Sequence, residues 1–372
     1  LHAALDRFPP PAGASPSSAA SETVIPVPFE VIAGIGLLYV LCLYPLDWWF
    51  VSKQGRPWVA WLTLPLLAAG FSAAALGVKS RWGGGGETVG RTADLIDVDV
   101  ADALVRGTSW LAVRSPANDR LDVAIEPSPA LDTAQTAAAV TWWGVAGSGF
   151  GGLDAAVPHP SLAAASYGYN ASLAALAGVP VAASASRLFE ADWTAAAAGS
   201  IVTASLTRTP QGTLAGAVSH QLPFVLDNCR LLHAGWLYDV GRLGPGDRYD
   251  TAAGRGPRSL ASALTRRAAA KERESAAAWD PRSGDVARIL EVAAFHGAAG
   301  GTAYTGLDAG RFARLDLSPL LTVDRAVLVG TVAGTAPATR WHVGGAARPI
   351  APAAAAPTLC RIVIPLAAEA AP

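Results

Sequence analysis

Two long apolar runs near the start of the chain dominate its pattern of hydrophobic and polar positions. The first covers residues 29–51, the second covers residues 58–78, and a polar link at residues 52–57 joins them. The second run carries no charge, and each run is close to the roughly 20 residues that a helix needs to cross a bilayer. The pattern therefore predicts a transmembrane α-helical hairpin over residues 29–78.

Residues beside the link favour a membrane over the alternative, a buried helical hairpin inside a large globular protein. Tryptophans cluster there as in an interfacial aromatic belt, and Asp47 beside them is predicted to anchor the hairpin at the interface. Small residues in the second run are predicted to let the two helices approach closely. The tryptophans are Trp48, Trp49, Trp58 and Trp61, and the small residues are Gly70, Ala73, Ala74 and Gly77.

Beyond the hairpin, apolar residues recur at every second position. Ile96, Val98 and Val100 alternate with Asp97 and Asp99, which predicts a strand with its three apolar residues facing a core. The spacing of strands and turns favours a mainly-β, β-sandwich-like soluble domain of α+β class, with mainly antiparallel strands, over a parallel α/β sheet. Further strands are predicted at residues 107–113, 121–125, 138–143, 184–193, 200–208, 214–220, 225–238, 326–332 and 359–366.

Two helices are predicted in the last third of the chain. Residues 259–278 are rich in alanine and charge, which indicates a solvated helix. Residues 285–296 have one apolar face, with Ser283 able to cap the start and Gly297 able to end the helix.

The composition divides the chain into four parts. Residues 1–28 form a polar tail or linker, residues 29–78 the hairpin, residues 79–91 a glycine-rich spacer, and residues 92–372 the β-rich domain. Because the chain starts at Leu1 and has no methionine, we expect it to be a fragment of a longer protein with a further region upstream.

Charge and cysteine usage exclude some classes of function. The formal net charge of −1 argues against a nucleic-acid partner, which would require a basic face. Cys42, Cys229 and Cys360 have neither zinc-site spacing nor a CxxC motif. Cys42 lies in the first apolar run, whereas Cys229 and Cys360 are either a disulfide of an oxidising compartment or two buried thiols.

The sequence motifs that would indicate cofactor binding, metal binding or catalysis are weak in this chain. Residues 147–152 (GSGFGG) match the GxGxxG pattern, but Pro158 and Pro160 interrupt the helix that a dinucleotide site needs, so a glycine-rich loop is favoured. His220 and His233 could meet from different strands, yet no third ligand is indicated. No catalytic, cofactor-binding or metal-binding residue is assigned, and no cofactor is expected. The six scattered histidines are His2, His159, His220, His233, His296 and His342.

Two polar patches are the most distinctive outside the hairpin, at residues 227–230 (DNCR) and residues 295–304 (FHGAAGGTAY). Turn formation and helix capping account for both without chemistry. His296 is expected to act as a charge at a helix end.

Several segments carry a resemblance to a known group of proteins. These are residues 43–49 (LYPLDWW), residues 55–57 (GRP), residues 61–65 (WLTLP), residues 222–229 (LPFVLDNC), residues 288–291 (RILE) and residues 325–330 (RAVLVG). They resemble uncharacterised planctomycete-type bacterial envelope membrane proteins, which have a two-helix hairpin and extracytoplasmic regions on both sides of it. The resemblance implies this architecture and no catalytic residue.

Three hypotheses for function follow. The leading one is a membrane-anchored cell-envelope protein that binds another protein or a surface component, or has a structural role. The second is a hydrolase whose active site lies upstream or in an unrecognised cleft, and the third is an accessory subunit of a transport or secretion complex. The location expected is the bacterial inner membrane, with two passes and the large C-terminal domain extracytoplasmic. Lys53 and Arg56 place the link in the cytoplasm, although Lys79 and Arg81 act in the opposite direction.

Overall fold

The structure is a computed structural model that describes most of the chain in ranges separated by gaps. The polar tail at residues 1–28 and the glycine-rich motif at residues 147–152 lie outside the described residues. The described ranges are 29–54, 58, 60–82, 88–115, 118–127, 133–143, 167–182, 185–197, 199–254, 256–268, 274–281, 283–308, 310, 313–322, 324–334, 339–345, 350–354 and 358–367.

Both apolar runs are helical. The first comprises α1 (Phe29–Leu41), a π-helical turn (Cys42–Leu46) and α2 (Asp47–Gln54). The π turn contains Pro45, which has no backbone N–H to donate. The second run forms α3 (Ala60–Trp82).

The two runs touch, but only one of them passes a length-and-composition test for a membrane span. The rings of Tyr39 and Phe71 meet edge to face, with centroids 5.1 Å apart. In the described part of the chain, the window Trp61–Val78 of α3 is the one helix long and apolar enough to cross a membrane. The apolar helix in the first run, Ala33–Tyr44, is shorter.

At two of the small residues of α3 the structure shows no close contact with the described part of the first run. A Cβ atom added at Gly70 or Gly77 would meet no described atom within 4 Å. The contact seen between the two runs is that of the Tyr39 and Phe71 rings.

The rest of the described chain is mainly β. In chain order the strands are β1 (Thr88–Asp99), β2 (Leu104–Arg114), β3 (Asp119–Pro127), β4 (Thr133–Trp143), β5 (Gly168–Tyr169), β6 (Ala175–Val181), β7 (Ser186–Ala197), β8 (Val202–Arg208), β9 (Leu214–His220), β10 (Leu226–His233), β11 (Trp236–Leu243), β12 (Arg248–Asp250), β13 (Arg258–Ser259), β14 (Arg266–Ala268), β15 (Glu274–Ala276), β16 (Arg325–Val332), β17 (Thr339–Gly345), β18 (Ile350–Ala354) and β19 (Thr358–Pro365).

A ten-stranded sheet organises the body. Its order is β13-β11-β10-β16-β19-β1-β2-β7-β4, and β18 pairs with β1. Its pairs are antiparallel except for those that β1 makes with β18 and β19. The prediction of mainly antiparallel β-structure is therefore confirmed, with a parallel junction at the centre that the strand pattern did not indicate.

The two faces of this sheet are covered differently. A three-stranded sheet, β12-β9-β8, and a four-stranded sheet, β17-β3-β6-β5, pack on one face. Short helices pack on the other: α4 (Leu260–Thr265), α5 (Val286–Ala294), α6 (Thr302–Thr305) and a 3₁₀ turn (Ser318–Thr322). One side of the body is thus a β-sandwich and the other a helical layer.

Strand β1 shows the consequence of being covered on both faces. Ile96 and Val98 are buried toward the smaller sheets, as predicted, and Val100 packs against the same core. Leu95 is buried on the helical side, and Asp97 is buried there as well. Period-two alternation is typical of a strand with one solvated face, whereas β1 is central.

Three local predictions need correction. Residues 259–278 do not form one helix, because α4 ends at Thr265 and the strand pair β14–β15 follows. Residues 225–238 are a hairpin, with a tight turn at Ala234 and Gly235, where φ is 47° and 82°. Helix α5 is capped by Asp285, whose side chain accepts from the backbone N–H of Arg288 at 3.0 Å, and not by Ser283.

Cys229 and Cys360 are free thiols inside the core. Strands β10 and β19 lie on opposite sides of β16. Two strand spacings amount to about 9.6 Å, beyond the roughly 7 Å limit between the Cα atoms of a disulfide. Burial raises the pKa of Cys229 to about 12 and also raises that of Cys360, so both are unreactive at neutral pH.

Candidate binding groove on the four-stranded sheet

A groove of about 700 Å³ lies on the four-stranded sheet. Side chains alternate along a strand, so the neighbours of the buried Val123 and Leu176 point outward. Ala124, Ala175 and Ala177 hold these outward positions on the two central strands. Because their side chains end at a methyl group, the middle of the sheet is left as an open floor.

The wall formed by β17 is attached firmly to the large sheet. The indole N–H of Trp341 donates to Ser109 Oγ at 2.8 Å, and Ser109 in turn bonds the buried Asp94. The indole N–H of Trp193 donates to Thr339 Oγ1 at 2.9 Å. These two buried anchors hold β17 in place before any ligand arrives.

Asp122 supplies a carboxylate to the groove. Its Oδ1 accepts from the backbone N–H of Gly178 at 2.8 Å, which orients the side chain. Asp122 lines the groove, and no described residue forms a hydrogen bond with its Oδ2. One carboxylate oxygen is therefore positioned by the fold and the other is open to a ligand.

An ion-pair cluster borders the same wall. His342 Nε2 lies 3.0 Å from Glu126 Oε1, and Arg340 Nη1 lies 3.1 Å from the same oxygen. The hydrogen bond from His342 is the main reason that the pKa of Glu126 is lowered. Glu126 is therefore ionised at neutral pH and holds the imidazole of His342 at the edge of the groove.

Tyr169 is on the edge strand β5 and pairs with the buried Leu176, so its ring is on the core side of the four-stranded sheet, beside two further rings. Its ring meets that of Tyr167 at 6.1 Å between centroids, and Tyr167 meets Trp142 at 5.1 Å, both edge to face. Trp142 is buried in the core between the large and four-stranded sheets. Partial burial raises the pKa of Tyr169, which keeps its hydroxyl protonated.

No protein-family model matches the chain, and a search of curated proteins finds no match either.

The histidines considered from sequence are not brought together. The imidazole of His220 bonds the carbonyl of Leu243, and that of His233 bonds the carbonyl of Arg325. Leu243 and His233 are at opposite ends of the β10–β11 hairpin. In the described part of the chain no group of three or more His, Cys, Asp or Glu could hold a metal ion.

The two polar patches have structural roles. Asn228 takes a left-handed conformation, φ 52°, in a bulge of β10 between Asp227 and Arg230. His296 is buried after α5, and its Nε2 lies 3.0 Å from Thr305 Oγ1. A β-bulge thus accounts for the first patch and hydrogen bonding for the second.

The groove is arranged for binding better than for bond cleavage. Asp122 is the one carboxylate among the described residues that line the groove, and Glu126 is outside this lining. The acid of a carboxyl pair that cleaves glycosides has a raised pKa, whereas that of Glu126 is lowered. The described lining holds no Ser, Thr, Cys or Lys as a nucleophile. Sequence analysis missed this site because its residues come from four separate strands and match no motif.

Proposed function

We propose that this chain is a membrane-anchored envelope protein that presents its β-rich body at the membrane surface to bind a surface component. The observation that carries the proposal is α3, in which the 18-residue apolar window Trp61–Val78 has none of its residues buried. The core helix of a soluble protein would be mostly buried.

The side chains of both runs support this assignment. Trp61 is 82% exposed, Leu66 75% and Leu37 72%. Burying one such side chain is worth about 1.5–3 kcal/mol, so leaving many of them in water is strongly unfavourable. A bilayer removes them from water without requiring a protein partner.

The first run extends the proposal to two passes. It is helical without a gap from Phe29 to Gln54, through its π turn. At 1.5 Å per residue these 26 residues extend about 39 Å, more than the roughly 30 Å hydrocarbon core. The second pass, the bacterial inner membrane and the extracytoplasmic body are parts of the proposal.

Membrane extraction tests the anchor. The full chain should remain in the membrane pellet after an alkaline carbonate wash. Leu67→Arg should move a large part of it to the supernatant, because a central arginine costs about 3 kcal/mol on insertion scales. Ala204→Arg adds the same charge at an exposed strand position and is the matched control, expected to stay in the pellet. Release of the unmodified chain by carbonate would disprove the anchor.

A further inference from the structure

We propose that the β-rich body docks onto the membrane surface through an arginine-rich end of its strands, with anionic lipid head groups as the partner. The inference adds a second membrane contact to the proposed anchor. It rests on the proposed function, because the anchor is what brings this end of the body to the bilayer.

Connectivity places this end of the body near the anchor. Helix α3 ends at Trp82, and β1 begins at Thr88, six residue steps later. Six steps extend at most about 22 Å, so with residues 61–78 in the bilayer the start of β1 is held close to the membrane surface. The far end of β1, Asp99, is about 36 Å further along the strand.

Strand register brings three arginines together at the same end. Arg114 of β2 is paired with the second residue of β1 and with Ser186 of β7, the neighbour of Arg187. The Nε of Arg187 donates to the carbonyl of Pro180 at 3.1 Å, and Pro180 on β6 pairs with Arg120 on β3. We call Arg114, Arg120 and Arg187 the basic end.

The guanidinium groups of the basic end are accessible. Arg114 and Arg120 are exposed, and Arg187 is half-buried. The carbonyls of Pro180 and Ser186 hold Arg187, whose guanidinium carbon lies 5.4 Å from the ring centroid of Trp142. Among the described residues no acid pairs with Arg114 or Arg187. Both are therefore able to meet an anionic group of a partner.

The charge of the β-structure is polarised along its strands. Within three residues of the end near the membrane, β1, β2, β3, β6 and β7 carry the three arginines and one acid, Asp119, a net charge of +2. Within three residues of their other end, the same strands carry one arginine, Arg106, and three acids, a net charge of −2. The three acids are Asp97, Asp99 and Glu126. An anionic bilayer therefore attracts the tethered end and repels the far end.

The tether selects lipid head groups among anionic partners. Bilayer phosphates are the anionic surface that the anchor itself brings to the basic end, and the guanidinium fork matches phosphate oxygens. A nucleic acid or an acidic protein would have to enter the space between the body and the bilayer.

The test measures how close the basic end comes to lipid head groups. The full chain, with Cys42, Cys229 and Cys360 replaced, carries a fluorescent donor on Ala182→Cys, and the vesicles carry an acceptor on their head groups. Ala182 is exposed and directly follows β6 at the basic end. One vesicle type is phosphatidylcholine, and the other is phosphatidylcholine with phosphatidylglycerol at about three to one.

Energy transfer should be greater in the anionic vesicles. It should fall to the neutral level in about 1 M salt, where the Debye length is only about 3 Å. A donor on Ala101→Cys, in the exposed turn after the far end of β1, should show little transfer in either vesicle type. These measurements need no arginine variant, so they test the docking even where such a variant folds poorly.

Matched variants identify the arginines. Arg114→Gln with Arg120→Gln should lower the ratio of docked to undocked molecules in anionic vesicles about tenfold or more, a change of ~1.4 kcal/mol or more. Arg208→Gln with Arg248→Gln removes two exposed arginines from the three-stranded sheet and should change this ratio less than about twofold. Equal effects of the two double variants would overturn the docking.

Flotation of the chain with phosphatidylcholine vesicles separates the docking from the anchor. A chain that floats has its anchor, so equal transfer from Ala182→Cys in the two vesicle types would then overturn the docking alone. Transfer from Ala101→Cys as strong as that from Ala182→Cys would do the same. A chain that does not float disproves the anchor and the docking with it, because the tether is lost.

Discussion

At the scale of single residues, a buried ion pair joins two central strands. Arg361 is fully buried on β19, and its Nε and Nη2 donate to the two carboxylate oxygens of Asp97 at 2.6 and 2.8 Å. Its remaining nitrogen donates to the carbonyls of Leu315 and Ala294, the last residue of α5. Arg361 thereby connects the parallel junction β1–β19 to the helical layer.

Removing one partner of this pair should be costly. Arg361→Leu should lower the free energy of unfolding by about 3 kcal/mol, since Asp97 would stay buried with only the half-exposed Arg106 as a partner. The double variant Arg361→Leu with Asp97→Leu should recover much of the loss, because no uncompensated charge remains. Urea unfolding followed by tryptophan fluorescence measures both. A double variant that is as unstable as the sum of the single variants would contradict this account.

His220 makes stability depend on pH. It is buried, its Nε2 donates to the carbonyl of Leu243 at 3.1 Å, and burial lowers its pKa below the ordinary value of 6.5. The unfolded chain therefore takes up this proton first as pH falls. The stabilisation that comes from neutral His220 is complete above about pH 6.5, and it decreases as the pH falls toward the pKa of His220 in the folded state.

The corresponding test compares unfolding temperatures at pH 7.5 and pH 5 in the unmodified chain and in His220→Gln. Glutamine keeps an N–H donor for Leu243 and does not titrate. Between pH 7.5 and pH 5 the unfolding temperature of the unmodified chain should decrease more than that of the variant. Equal losses in the two proteins would rule out His220 as a source of the pH dependence.

At the scale of elements, glycine and tryptophan are matched across two strands. Gly107 on β2 pairs with Trp193 on β7, and the indole lies over the glycine. A Cβ at Gly107 would be 2.1 Å from Trp193 Cε2. The missing side chain lets this indole reach Thr339 and hold the groove wall β17.

Gly107→Ala should therefore destabilise the body by about 1–3 kcal/mol, the usual cost of overpacking a core. Gly344→Ala is the control, because a Cβ there would meet no described atom within 4 Å, and it should change stability little. Chemical unfolding of both variants gives the comparison. Equal stabilities would show that Trp193 can move without loss.

Elements also show where local patterns succeed and fail. Strand β9 was predicted at its observed bounds, Leu214–His220. Strands β5, β12 and β13 have two or three residues and were missed, since so short a segment has no period. The stretch after Ser259 contains good helix formers but becomes a strand pair after Thr265, so propensity is overridden by tertiary contacts.

At the scale of the whole molecule, the orientation proposed for the membrane can be tested directly. A single cysteine at Ser80, in a variant that lacks Cys42, Cys229 and Cys360, is in the last turn of α3, at the end that leads to the β-rich body. In intact cells with a permeable outer layer, a membrane-impermeant thiol reagent should label it. Labelling only after the inner membrane is broken would place the body in the cytoplasm.

The sequence by itself determined that two apolar runs are helical and that the remainder is mainly antiparallel β-structure. Both properties depend on residues a few positions apart, whose spacing is set by the helix and strand periods. Only the tertiary structure decided that β1 pairs in parallel with β19, that Asp97 is buried with Arg361, and that alanines from β3 and β6 form the groove floor with Asp122 and His342 beside them. Asp97 and Arg361 are 264 residues apart, and no local pattern encodes such a contact, because it arises from the packing of complete strands and sheets.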